Sequence, residues 1–241
     1  MKILFLLPPS EGKNSQGEIG EEKLSFNFEK PKEIATNVTQ KDLKCTGSRF
    51  EEWVNLNKQL CETKDFIVTP AINRYSGVMY NAIDYAGMDK DWKKYFEENF
   101  LIFSWMYWIV KASDLIGNYK LPIETKTLAK YWQETITNTL NESSADYVIN
   151  LLPLSYQKMI DFKCLSPKLV NINFQVEKNG KIVKMAHWVK KIKGEWIKNI
   201  CETLWSLYLS GEVSEGEEIF RYFGGEKIQT EKSIEINILH K

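Results

Sequence analysis

A chain of 241 residues with 43% apolar and 13% aromatic side chains can bury a sizeable core and is too apolar to stay disordered. Its 32 Lys and Arg balance its 32 Asp and Glu, which excludes a globally basic nucleic-acid binder. The balance is uneven locally: Lys181–Ile200 holds six lysines against one glutamate, and Glu212–Glu226 five glutamates against one arginine. That pair reads as a basic groove or as two solvated faces that neutralise each other.

In chain order, Met1–Pro9 opens with five uninterrupted apolar residues, too few for a signal-peptide core or a membrane span. It predicts the first strand of a soluble, cytoplasmic protein with no membrane partner. Cys45, Cys61, Cys164 and Cys201 show no C-x-x-C spacing, so buried free thiols are expected. His187 and His240 are too few and too distant for a helical metal motif. Neither a metal nor a cofactor is expected.

Pro8–Lys13 is turn-rich and leaves the strand with a hydroxyl, Ser10, and an ammonium, Lys13, at a usual place for anion-binding amides. It is not a P-loop, because the first glycine is missing and Asn14 follows the lysine. Residues 14–40 are polar and predict a long surface loop. Lys41–Thr63 predicts a helix with Phe50, Trp53, Val54, Leu56 and Leu60 on one face. Cys45–Ser48 reads as a turn between two short helices, the arrangement a helix-hairpin-helix DNA module needs, with a single glycine as its only mark.

Asp65–Thr69 predicts a buried strand, and Tyr75, Val78, Met79 and Ile83 predict a helix beyond it. Arg74 stands at this junction and is one of three arginines, with Arg49 and Arg221, in a Lys-rich chain. That scarcity points to a planar, bidentate donor, with a surface ion pair as the alternative. Asp91–Asn99 predicts a short helix and Phe100–Trp108 a buried strand entering a turn. Lys111–Pro122 follows as loop and short strand, where Asp114 and Lys120 either pair internally or serve a site.

Thr125–Asn141 is the clearest helix, with Leu128, Tyr131, Trp132, Ile136 and Leu140 as its stripe. Tyr147–Leu152 predicts a buried strand in which the Asn150 amide must find partners or bind something. Lys168–His187 predicts a hairpin about Asn179-Gly180. In the helix predicted over Val189–Leu209, Lys190, Lys191 and Lys198 lie off the apolar face. Lys193 falls within that face, so it snorkels out or points into a site. Ile219–Phe223 and Ile234–Leu239 read as closing strands. Strands interleaved with helices predict one compact α/β (mixed α+β) domain over residues 1–241, a mixed sheet with flanking helices and a C-terminal hairpin plus long helix.

The chain resembles the YaaA-like peroxide stress protein family. The resemblance is carried by Leu6–Lys13, Arg74–Asp84, Tyr107 through Ile116 to Leu121, Tyr131-Trp132, Leu140-Asn141, Ile149–Leu151 with Tyr156, and Lys190–Gly194. Trp105–Trp108 stands where the family usually has Gly-Leu-Tyr-Gly, and Lys111, Lys120 and Lys193 stand where arginine is usual. The resemblance implies the YaaA-type α/β fold and a cytoplasmic protein that answers hydrogen peroxide by lowering free iron. It also implies DNA binding through a positively charged cleft with a helix-hairpin-helix element.

Two functions follow from these residues. In the first, lysines on the hairpin and long helix (Lys190, Lys191, Lys193) join Arg74 in holding DNA phosphates without sequence preference. In the second, Ser10, Lys13, Arg74, Tyr75, Asp114, Tyr119, Lys120, Asn150 and Lys193 converge at strand ends around a small phosphorylated or nucleotide-like ligand. Lys13, Arg74 and Lys193 would then hold the anion, and Asp114 would orient one of them or act as a base. No catalytic residue is assigned, and catalysis stays open.

Overall fold

The computed structural model describes residues 1–122, 128–183, 185–211, 216–230 and 233–240. Strand β1 (Ile3–Leu7) is buried at every position, as an unbroken apolar run covered on both faces should be. Among the described residues ten further strands follow it: β2 (Glu18–Gly20), β3 (Phe66–Pro70), β4 (Phe100–Ser104), β5 (Trp108–Val110), β6 (Leu115–Gly117), β7 (Tyr147–Asn150), β8 (Lys168–Lys178), β9 (Lys181–Val183), β10 (Glu226–Gln229) and β11 (Ser233–His240). The larger sheet runs β10-β11-β8-β7-β1-β4-β5, with β9 paired to β8. Within it β4, β1, β7, β8 and β11 are mutually parallel, and β5, β9 and β10 are antiparallel additions. A second, antiparallel sheet holds β2, β3 and β6.

The helices are α1 (Lys32–Thr36), α2 (Gln40–Leu43), α3 (Ser48–Glu62), α4 (Ala71–Arg74), α5 (Val78–Ile83), α6 (Lys90–Asn99), α7 (Leu128–Glu142), α8 (Leu154–Gln157) and α9 (Ala186–Ser210). Buried apolar residues from both sheets and most helices form one cluster. Its centre is a stack of rings, Phe96 on Phe100 and Phe100 on Phe5, each pair 4.4 Å apart. The α7 stripe is buried at Leu128, Trp132, Ile136 and Leu140, whereas Tyr131 is largely exposed. None of the described helices is long and apolar enough to cross a membrane.

The fold class is as the pattern of elements predicts: mixed α/β, with helices flanking a mixed sheet. The hairpin turns at Asn179 (φ 54°) and Gly180 (φ 73°), the left-handed pair that a two-residue turn requires. Several boundaries differ. Residues 14–40 are not all loop, since β2 and α1 lie there. The stretch 41–63 does turn where expected, about Cys45–Ser48, with left-handed Lys44 (φ 51°) and Gly47 (φ 62°) between α2 and α3, although α3, at 15 residues, is not short. Ile219–Phe223 is not a strand but part of a 3-10 helix, Gly216–Phe223. It buries Ile219, Phe220 and Phe223, of which Phe220 and Phe223 share one side of a three-residue turn. Residues 125–127 of the expected seventh helix lie outside the described residues.

Candidate anion-binding pocket

The connection leaving β1 goes to β4 on one side of it, while β7 lies on the other. Chain segments therefore diverge from the carboxyl end of β1, the position where open α/β sheets place their ligands. A cavity of about 240 Å³ opens there. Segments following three adjacent parallel strands line it: Pro9–Lys13 after β1, Trp105 after β4 and Tyr156 after β7. Its remaining wall comes from Tyr119–Pro122 and from Leu43, Lys44, Cys45, Arg49 and Trp53 of the α2–α3 unit.

Each wall is fixed from outside the cavity. The Ser10 hydroxyl donates to the Ser76 carbonyl, Ser76 N–H to the Gly12 carbonyl at 3.0 Å, and Asn14 N–H to the Arg74 carbonyl at 2.9 Å. The β1 loop is thus zipped to the segment after α4. On the opposite wall, buried Asn57 of α3 accepts from Lys120 N–H at 2.9 Å and donates to the Lys120 carbonyl at 2.9 Å. This two-way clasp joins α3 to the Tyr119–Pro122 segment and sets where Lys120 emerges.

Four cationic side chains line the cavity with one carboxylate, Glu11. Lys13 Nζ lies 4.2 Å from the centre of the Tyr119 ring and 3.2 Å from the Ser10 carbonyl. The Trp53 ring carries Arg49 at 4.8 Å and Lys120 at 4.5 Å. Among the described residues, Lys13, Arg49 and Lys120 have no carboxylate within ion-pair distance. Burial, then the charge of Lys120, pulls the Lys13 pKa down from 10.5 to about 7, with Glu11 opposing. The cost of charging a desolvated amine beside another cation is what an incoming anion would relieve.

Beneath Lys13, a buried line of hydroxyls runs from Tyr75 to Tyr119 (2.9 Å) and from Tyr119 to Ser104 (2.8 Å). Burial pushes Tyr75 up to about 12 and Tyr119 well above its ordinary value, so both remain phenols near neutrality. Trp105, buried and tilted 34° against Tyr156 at 5.2 Å, has an indole N–H without a partner among the described residues. The site can therefore bind an anion and stack a flat group.

Of the residues singled out from sequence, Ser10, Lys13, Tyr119 and Lys120 line this cavity, and Tyr75 supports it from below. The others are placed elsewhere. Arg74 is fully buried, and its guanidinium donates to the carbonyls of Asn14, Gln16 (3.3 Å), Ile67 (2.8 Å) and Ile116 (3.3 Å). It ties β3, β6 and the 14–16 loop together instead of facing a ligand. Asp114 does not pair with Lys120: it accepts from Ser25 N–H (3.0 Å), the Ser25 hydroxyl (2.5 Å) and Lys111 N–H (2.9 Å). Asn150 donates to Asn171 at 2.7 Å and accepts from Leu152 N–H at 3.1 Å, a satisfied core amide.

Lys193 donates to the Leu151 carbonyl at 2.6 Å, and burial brings its pKa down to about 8. Lys190 and Lys191 are exposed on α9, with Lys191 3.5 Å from Glu195. Lys198 pairs with Asp84 at 2.7 Å. Arg49, Trp53, Lys44 and Asn57 were not read as site residues from sequence. Two signals pointed there: the scarcity of arginine applies to Arg49 as to Arg74, and the turn expected at Cys45–Ser48 lies between Lys44 and Arg49. Among the described residues, no group of three or more His, Cys, Asp or Glu is placed to hold a metal ion. Cys201 is buried and Cys164 exposed, so the expectation of buried thiols fails at Cys164.

Mixed sheet, topological divergence at β1 and an aromatic-walled cavity lined by cations at the strand ends define an α/β protein with a candidate site there. The model of the family described as peroxide stress protein YaaA matches residues 1–206, and the chain belongs to that family. Similar proteins agree. A UPF0246 protein of Marinomonas sp. (strain MWYL1) is 30% identical over 72% of this chain and 70% of its own length. One of Rickettsia bellii (strain OSU 85-389) is 29% identical over 71% and 73%, and one of Psychrobacter arcticus 32% over 55% and 53%.

Proposed function

We propose that this chain is a cytoplasmic protein of the peroxide stress response that binds DNA without sequence preference through the cavity at the end of β1. The observation that carries this reading is the set of cations Lys13, Arg49 and Lys120, without a carboxylate in ion-pair distance among the described residues, around the ring of Trp53. Phosphates suit the cations, and a base suits the aromatic walls. At about 240 Å³ the cavity falls short of the roughly 300–1,000 Å³ typical for whole small molecules. A single nucleotide unit entering from a longer strand fits that size better. The turn at Lys44–Gly47 between α2 and α3 forms part of the wall, which adds an α3 amino terminus to the positive field.

Family membership supports a role in lowering free intracellular iron. A cavity lined by four cations and one carboxylate repels ferrous ions, so that role would run through what the protein binds and not through iron held here. A second reading, capture of a small phosphorylated or nucleotide-like molecule, is favoured by the enclosure of Lys13 at the cavity floor.

Binding to labelled duplex, single-stranded and mismatched DNA tests the first reading, with wild type beside Arg49→Ala/Lys120→Ala and Lys190→Ala/Lys191→Ala. Loss of roughly tenfold or more in affinity in the Arg49/Lys120 pair, with the α9 pair near wild type, is the expected result. No binding at low salt by wild type would sink the DNA reading. Binding of nucleoside monophosphate in its absence would select the second.

A further inference from the structure

We propose that Lys13 forms an imine with an aldehyde carried beside a phosphate, the cavity's other cations holding the phosphate while the amine takes the carbonyl carbon. The proposal rests on the anion-binding reading of this cavity. Its source is the placing of one amine. Lys13 Nζ sits on the face of Tyr119 with a single carbonyl contact at 3.2 Å, at a cavity that Arg49, Lys120 and Lys44 also line. A lysine kept only for charge is best left in open water or paired with a carboxylate, whereas Lys13 is half-buried against two rings and, among the described residues, has no carboxylate within ion-pair distance. Desolvation and a neighbouring cation are the two surroundings that turn lysine into a nucleophile. Here Tyr119 and Tyr75 supply the first and Lys120 the second. With its pKa near 7, a substantial share of Lys13 is free amine at neutral pH.

The chemistry balances without any oxidant or metal. The amine adds to the aldehyde carbon, and the carbonyl oxygen leaves as water with the two amine hydrogens, giving R–CH=N–Lys13. The proton that departing hydroxide needs comes from solvent or through Glu11, the carboxylate that lines the same cavity. Aldehydes beside phosphates come from two sources, the ring-opened sugar of a base-free position in DNA and free sugar phosphates. The chemistry at Lys13 is the same for both.

Purified protein is incubated with an oligonucleotide holding one base-free site, or with ribose 5-phosphate, and reduced with borohydride. Reduction fixes the imine as a stable secondary amine, and peptide mapping by mass spectrometry locates it. An adduct on the peptide containing Lys13, at least tenfold above that on any other lysine, supports the proposal. Its appearance with the oligonucleotide, the sugar phosphate or both tells the source. Lys13→Arg, which keeps the charge, should abolish the adduct with an unchanged circular dichroism spectrum. Adducts spread over many lysines, or an adduct undiminished in Lys13→Arg, would overturn the proposal. So would absence of adduct in wild type that binds the intact oligonucleotide or sulfate, and that outcome would leave the binding reading standing. Failure of intact DNA to bind, with the Lys13 adduct formed from ribose 5-phosphate, would remove DNA and keep the imine.

Discussion

Arg74 and Lys13 lie on segments zipped together by backbone hydrogen bonds, yet burial makes different residues of them. Arg74 has its guanidinium distributed over four carbonyls, a task for a planar fork that lysine cannot match. Replacing it by Met leaves those acceptors buried and unpaired. The expected loss is about 3 kcal/mol or more, read as a lower urea midpoint at unchanged slope, and Arg74→Lys should recover little of it. Unchanged stability in Arg74→Met would refute the clamp. Lys13 instead carries a pH signature. Its folded pKa of about 7 is below the unfolded 10.5, so between these values the unfolded chain binds more protons. This group therefore adds to stability as pH rises through that window, and the gain is lost as pH falls through about 7. Anion affinity has the opposite slope, because only the protonated amine attracts. Sulfate, which does not titrate here, should bind more weakly as pH rises from about 6 to about 8.5, and Lys13→Met should flatten that dependence.

At the scale of elements, the contact between α5 and α9 shows how a sequence pattern becomes packing. Gly194 of α9 lies where a methyl group would fall on the Met79 carbonyl oxygen and 2.7 Å from the Ala82 Cβ. The two helices approach backbone to backbone, and α9 also buries Ile192, Trp196, Ile197, Ile200 and Leu204. Gly194→Ala should push them apart at a cost of about 1–3 kcal/mol, even though alanine favours helix. A thermal melt above wild type would mean that propensity wins and the approach is loose. The α9 stripe was readable because period and burial are local properties of one segment. So were β1, the Asn179-Gly180 turn and Asn150's need for partners. The cavity was only half readable. Ser10 and Lys13 could be placed at a strand end from the β1 loop alone. Arg49 and Trp53 belong to it because Asn57 clasps Lys120 across 63 residues of chain, and no spacing rule encodes that pairing. Arg74 and Asp114 drew attention as charges beside apolar runs, which was correct as to burial and silent as to partners. Their partners are backbone groups of loops that the sequence pattern left undescribed.

Across the whole molecule, equal numbers of acidic and basic residues leave DNA affinity to local geometry. Among the described residues of the acidic stretch, Glu217 pairs with Lys168 and, at 2.7 Å, with Lys227, and none pairs with an α9 lysine. Two positive regions therefore compete as DNA surfaces, the cavity and the exposed Lys190-Lys191 face of α9. Salt separates them. Each duplex phosphate neutralised contributes about 0.9 to the slope of log affinity against log salt. Removing two cations that contact phosphates should lower the slope by nearly two, whereas removing two that only add to a screened field should scarcely change it. Arg49→Ala/Lys120→Ala is expected to show the large change and Lys190→Ala/Lys191→Ala the small one. Arg49, Lys190 and Lys191 are exposed and Lys120 is half-buried, so the folded state should tolerate either pair, and equal circular dichroism spectra would verify this. The reverse pattern would move the DNA to α9 and leave the cavity to a small anion. In that case nucleoside monophosphate and DNA should bind together without competing. If the cavity holds the DNA, each should displace the other, because one set of cations would serve both.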